Sequence, residues 1–414
     1  MSMSTTPRPT EAPVRLHPLT YVPEGDEVMV GRPDTGSYGV FPPAGARALR
    51  SLAAGTSVAV VAEQWRRETG ESFDLDEFTE LMDDLGFLVH AGEEPAVAKP
   101  VRWQRLGRWL FAPASWVLYG VILLAAVIAM IIDPGLRPTY HHFFFTEHIT
   151  LIPILLTVGQ IPLVILHEAY HALAARRLGL PSQLAFGRRF FYLVVETRLD
   201  ALYSVPRRQR YLPIVAGSVI DLVVIAAFTL AAAGIRLADG PDWLAGMALA
   251  FALAGLLRAL WQGLFYLETD VYFAVNAASG CTDLHGAASY RLRGWWARIR
   301  RRPADPANGA ADDWSEHDHT AAKWYAPLMI LGYGLSLFTL LWVGLPTSIT
   351  FWTTIGRRLF GPDPVTLPTI LDTAFFVVFT ASQLGLLIYV AIRDWRAKRR
   401  IAVSPSAEPE RESS

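Results

Sequence analysis

The chain has 414 residues, 52% hydrophobic and 18% charged, with 37 Lys and Arg against 38 Asp and Glu and a mean hydropathy of +0.28. So apolar and nearly neutral a chain offers no global field for nucleic acid and leans toward lipid rather than toward a wholly soluble protein. The one cysteine, Cys281, excludes an intrachain disulfide framework and a cysteine cage for zinc, so any metal falls to histidines and carboxylates.

Residues 1–13 are polar and proline-containing without an apolar stretch, which predicts a short disordered lead rather than a cleaved signal peptide. Residues 14–95 read as a small α+β domain. β-prone runs at 16–22, 28–30 and 37–41 are separated by Gly, Pro and Asp turn residues. A helix over 56–67 follows from Val58, Val61, Ala62 and Trp65, with Gly55 ending the helix before it and Thr56 as N-cap. A second, over 75–85, follows from Leu75, Phe78, Leu81, Met82 and Leu85, with Asp74 and Glu77 placed as a capping box. Phe87, Leu88 and Val89 make a closing strand, which gives a winged-helix order. Between 13 and 95 there are 15 Asp and Glu against 6 Arg, the reverse of a nucleic-acid footprint. Residues 96–113 are expected to be a linker.

A membrane-spanning helix needs about 20 mostly apolar residues. Six stretches qualify: 114–132, 149–175, 211–235, 243–276, 324–345 and 369–392. Basic residues cluster before the first (Arg102, Arg105, Arg108), between the second and third (Arg176 to Arg210), after the fourth (Arg291 to Arg302) and after the sixth (Arg393 to Arg400). The opposite loops hold chiefly Arg137, Arg236, Arg357 and Arg358. The asymmetry predicts a multi-pass protein of the cell membrane with both termini in the cytoplasm, the transmembrane domain covering 114–392 and the tail 393–414. Between the second and third spans, 184–197 is β-prone. A cytoplasmic linker is expected over about 280–322, flexible at 303–320.

His167-Glu168-Ala169-Tyr170-His171 lies inside the second span. Residues four apart share a helix face, so both imidazoles can reach one zinc ion while Glu168 stands beside them as a base. Ionisable groups inside a span cost of order 3 kcal/mol each, and a divalent cation is the simplest compensation. The third ligand should be a carboxylate or histidine at the same depth on another span. Asp270 meets that requirement, and Asp221, in the third span, is the rival. Asp221 is preferred as a partner that orients a histidine. His141, His142 and His148, and His317 with His319, are loop histidines expected to be solvated. Arg258, deep in the fourth span, is expected to snorkel or to form a structural pair, the alternatives being a carboxylate or a substrate carbonyl.

These residues resemble the site-2-type intramembrane metalloproteases, whose first motif is HExxH and whose second, on a later span, contains an Asn, prolines and Leu-Asp-Gly. Here the second segment runs from Gln262 to Tyr272, with Asp270 at the ligand position and Gln262 at the Asn. It has no proline, and Thr269 and Val271 replace Leu and Gly. The front domain, with Gly55-Thr56 and Leu85-Gly86-Phe87-Leu88-Val89, resembles PqqD-like leader-peptide recognition domains. That resemblance implies capture of an extended peptide by strand addition. The alternative is a domain that only stabilises or regulates the membrane part.

The expectation is therefore a zinc metalloendopeptidase with one Zn2+ per chain, acting on a peptide or membrane-protein substrate. Its setting would be maturation or leader removal of a small ribosomally made peptide, with peptide-modifying or export partners, in the lipid bilayer and without nucleic acid. The alternatives are a regulatory protease releasing a membrane-anchored factor, and a non-proteolytic partner of a peptide export or immunity system.

Overall fold

The computed structural model describes residues 15–403 apart from 91, 96–99, 190–191, 268, 282, 302–313, 315 and 363. The expected lead, most of the segment 303–320 and the end of the tail lie outside the described residues.

Three antiparallel strands open the chain in the order β1 (Thr20–Glu24), β2 (Glu27–Arg32) and β3 (Ser37–Phe41). Their turns use Gly25 at φ 64° and Gly36 at φ 73°, where a side chain would cost roughly 1–2 kcal/mol. Three helices follow, α1 (Pro43–Ala53), α2 (Val58–Thr69) and α3 (Leu75–Asp84). Gly55, at φ 82°, separates α1 from α2, but the N-cap of α2 is Ser57 rather than Thr56. Asp74 accepts from the N–H groups of Asp76 and Glu77, one half of the expected capping box. Val30, Phe41, Leu49, Met82 and Phe87 form the core of this domain. The closing strand shrinks to a single bridge between Leu16 and Leu88, because the N–H of Phe87, which would extend the ladder, donates instead to the carbonyl of Met82 at the end of α3.

The rest is largely helical. In chain order come α4 (Gln104–Leu110), α5 (Pro113–Ile132), α6 (Leu151–Arg177), the strands β4 (Gln183–Arg189) and β5 (Tyr192–Arg198), α7 (Arg207–Leu237) and α8 (Asp242–Trp261). They are followed by α9 (Asp270–Ser279), α10 (Leu284–Ile299), α11 (Glu316–Thr339), α12 (Leu345–Phe360) and α13 (Leu367–Val403). Among the described residues six helical runs are long and apolar enough to cross a membrane: α5, α6, α7, α8, the continuous run Glu316–Phe360, and Leu367–Arg396 of α13. Within the fifth, α11 passes into α12 through a π turn, Leu340–Gly344, just before Pro346, which has no N–H to keep the α ladder regular. That run is 45 residues long, well beyond the expected 324–345.

α7 is central and packs against α5, α6, α8 and α9. Small residues permit the close approach: Ala216, Ala226 and Ala232 of α7 and Ala245, Ala248 and Ala252 of α8 are buried. The outward face of α5 leaves Val117, Val121, Leu124 and Ile131 more than half exposed, an apolar surface suited to lipid. At the opposite end from the basic loops, Asp372 of α13 accepts from the N–H groups of Ile149 and Thr150 at 3.0 Å each and from Arg358 at 2.8 Å. The last helix thus caps the start of α6, satisfying donors that a helix N-terminus leaves open.

Three expectations are corrected. The fourth span, read over 243–276, is two helices, since α8 stops at Trp261 and α9 begins at Asp270. The linker read over 96–113 contains α4, whose Gly107 lies so near α6 that a Cβ would meet the backbone around Leu173 and Arg177. The linker read over 280–322 contains α10 and the start of α11, because Leu284, Ala287 and Ala288 bury against Ala321, Ala322 and Tyr325. The β-prone stretch 184–197 forms strands, as expected, and these pair antiparallel as β4 and β5.

The front domain rests on the start of α7 and the segment just before it. Glu24 pairs with Arg210 at 2.5 Å and with Arg207 at 3.2 Å, and the rings of Tyr38 and Tyr203 are 5.6 Å apart. It therefore lies at the same end of the bundle as the C-terminus of α6.

Candidate metal centre

α6 carries His167 and His171 one turn apart near its C-terminal end, both buried. Their Nε2 atoms are 3.1 Å apart. Asp270, the first residue of α9, brings Oδ2 to 3.2 Å from each. The three atoms form a triangle whose sides approach the roughly 3.3 Å edge of a tetrahedron with zinc-length bonds. His167, His171 and Asp270 lie close enough together to hold a metal ion.

The hydrogen bonds around the triangle decide what it can accept. His171 Nδ1 lies 2.7 Å from the carbonyl oxygen of Pro213, which only accepts, so Nδ1 carries the proton. His167 Nδ1 lies 3.0 Å from Oδ2 of Asp221 and donates to it by the same reasoning. Both Nε2 lone pairs are then turned inward, toward each other and toward Asp270. Oδ2 of Asp270 is buried without a hydrogen-bond donor. Three acceptors converging in a buried place call for a cation, and this donor set, two imidazoles and one carboxylate, suits a divalent transition metal.

Asp270 reaches this depth because the chain leaves the helix after Trp261. Thr269 Oγ1 donates to the backbone oxygen of Gln262 at 2.7 Å, and Gln262 Oε1 accepts from the N–H of Asp270 at 3.1 Å. Side chain to backbone bonds replace helical ones across the break, so the break needs no proline. Gln262 is thereby placed next to Asp270.

Asp221 stands behind His167, outside the triangle, and is fully buried. Arg258 holds it with two bonds, Nη2 to Oδ1 at 2.7 Å and Nε to Oδ2 at 3.1 Å, and also donates to Oε1 of Gln160. The Arg258 charge cancels that of Asp221, which leaves Asp270 as the uncompensated anion of the cluster.

Glu168 is half-buried and lies away from the triangle's hydrogen bonds. Thr197 Oγ1 of β5 is 2.8 Å from both its backbone oxygen and its Oε2. This contact, the Gln160 contact and the role of Gly217 were not legible in the sequence. A Cβ on Gly217 of α7 would collide with Nε2 of both His167 and His171. An Ala-Gly pair inside a span, Ala216-Gly217, was the available sign of so close an approach.

The loop histidines take other partners. His142 Nδ1 accepts from the N–H of Thr139, and burial holds the His142 imidazole below its ordinary pKa. His317 Nε2 lies 2.8 Å from the backbone oxygen of Ser279. Among the described residues neither cluster forms a metal-sized group. Compared with known proteins, the chain matches no family model, no curated protein and no solved structure.

Proposed function

We propose that the chain is a zinc metalloprotease working within the membrane, with six spans, both termini in the cytoplasm, and His167, His171 and Asp270 as the protein ligands. The observation that carries this reading is the buried triangle of three acceptors beside a glutamate in an HExxH helix. Zinc rather than another divalent metal is proposed because three N and O ligands with one position left open is the arrangement of catalytic zinc sites.

His167, His171 and Asp270 would hold the zinc, whose chemistry there would be polarisation of a peptide carbonyl and a lowered pKa for a water. Glu168 would serve as the base, taking a proton on its carboxylate and returning it to the amide nitrogen as the peptide C–N bond breaks. Thr197 steadies the Glu168 side chain through the bond to Oε2. Asp221 holds the proton of His167 on Nδ1 and Pro213 does the same for His171, so both Nε2 atoms remain free to bind. Gln262 fixes the start of α9 and with it the position of Asp270.

A substrate helix has to unwind before its carbonyls are accessible. The β4–β5 hairpin, running beside α6 on the front-domain side, offers a sheet edge for an extended segment. The front domain docks at the same end through Glu24, in a place suited to delivering a peptide. Maturation of a small ribosomally made peptide is the setting proposed for this activity.

The test compares wild type with Glu168→Gln, both zinc-loaded in detergent, on a panel of single-span peptides with cytoplasmic leaders, cleavage being read by mass spectrometry. Removal of the base is expected to slow cleavage by about 10²–10⁴-fold with zinc retained. Equal cleavage by both proteins contradicts the mechanism.

A further inference from the structure

A groove of about 420 Å³ opens between α10 and α11, away from the metal centre. Its lining is ordered along both helices. On α10, Arg291, Trp295 and Arg298 recur at i, i+4 and i+7; on α11, Lys323, Ala326 and Ile330 recur at i, i+3 and i+7. Two helical stripes therefore face one space, and each brings charge and apolar surface.

Three features point to the occupant. Arg291, Arg298 and Lys323 form no ion pair with a carboxylate among the described residues, so among those residues three cations share the groove without a counter-charge. The groove lies where α11 enters the fifth candidate span: Lys323 precedes the apolar run, and Ala326 and Ile330 sit one and two turns deeper. Around this level Trp295, Trp296 and Trp324 are each about half exposed, at 51%, 51% and 46%, the placement of tryptophan at a membrane–water boundary. A soluble anion would satisfy the cations and leave Trp295 and Ile330 uncovered. A molecule with an anionic head and an apolar chain satisfies both.

We propose that this groove binds the head group of an anionic phospholipid from the adjoining leaflet, with Arg291, Arg298 and Lys323 on the phosphate and an acyl chain lying along Ala326 and Ile330. The lipid braces more than one helix. Ala287 and Ala288 of α10 and Ala322 and Tyr325 of α11 share a buried cluster with Tyr272 of α9, two residues from Asp270. Head-group binding therefore stabilises the body that carries the third metal ligand. This proposal rests on the membrane-spanning reading but not on proteolysis.

The experiment uses the full chain in dodecyl maltoside. Whether the chain leaves membranes only with detergent is scored first, which separates failure of the spanning reading from failure of the lipid site. The thermal unfolding midpoint is then followed while phosphatidylglycerol, phosphatidylcholine or inorganic phosphate is added. Phosphatidylglycerol is expected to raise the midpoint saturably and the other two to leave it unchanged. Each basic residue removed is expected to weaken the apparent lipid affinity about fivefold, so Arg298→Gln with Lys323→Gln weakens it about 25-fold. Arg291→Gln alone provides the fivefold step should the double variant fail to fold. A shift as large with phosphatidylcholine or with phosphate alone overturns the proposal, as does a variant that responds like wild type.

Discussion

Oδ2 of Asp221 lies 3.0 Å from Nδ1 of His167, on the side of the ring away from the metal triangle. This bond sets which nitrogen of His167 faces Asp270. Asp221→Asn keeps the shape but allows an amide N–H to face the ring, which favours the wrong tautomer. It is expected to weaken zinc binding about 10- to 100-fold in a chelator competition. Asp221→Ala leaves the half-buried Arg258 without its carboxylate and is expected to lower folded yield as well.

Gly217 gives a second prediction. The face of α7 at this residue lies against both Nε2 atoms, so Gly217→Ala is expected to push the imidazoles apart and abolish stoichiometric zinc binding. The overpacking itself costs about 1–3 kcal/mol, so the protein remains foldable. Metal analysis beside a thermal melt separates the two effects.

Arg258 acts through Asp221. Arg258→Gln is expected to reduce zinc affinity, whereas Arg258→Lys restores charge but not the paired bonds to Asp221 and the bond to Gln160, and so recovers only part of it. Equal affinity in wild type and Arg258→Gln, measured by the same chelator competition, contradicts this positioning role.

The sequence exposed the chemistry better than the connections that hold it. HExxH in an apolar helix and the depth of Asp270 named the residues of the triangle, because lipid makes each ionisable group conspicuous. The break before α9 was hidden, since Thr269 and Gln262 make it with side-chain bonds that no local pattern announces. α10 was read as linker because its buried stripe is only Leu284, Ala287 and Ala288 amid arginines, and it becomes visible only against α11. Gly217 and Thr197 depend on contacts between separate elements, which residue spacing along one element does not encode.

Asp372 predicts a purely structural effect. Asp372→Ala removes the acceptor for two N–H groups at the start of α6 and the partner of Arg358. A loss of about 1–3 kcal/mol is expected from the cap and the ion pair together. It should appear as a lower unfolding temperature in detergent with zinc content unchanged, because the triangle lies at the other end of α6.

The central claim is that His167, His171 and Asp270 together hold a metal. Its most direct test is the metal content of the chain purified in detergent without added chelator, measured beside His167→Ala and Asp270→Ala. The account predicts about one zinc per chain in the wild type and its loss in both variants, with all three proteins folded. A folded wild type without bound metal, or an Asp270→Ala variant that keeps its zinc at wild-type affinity, contradicts it.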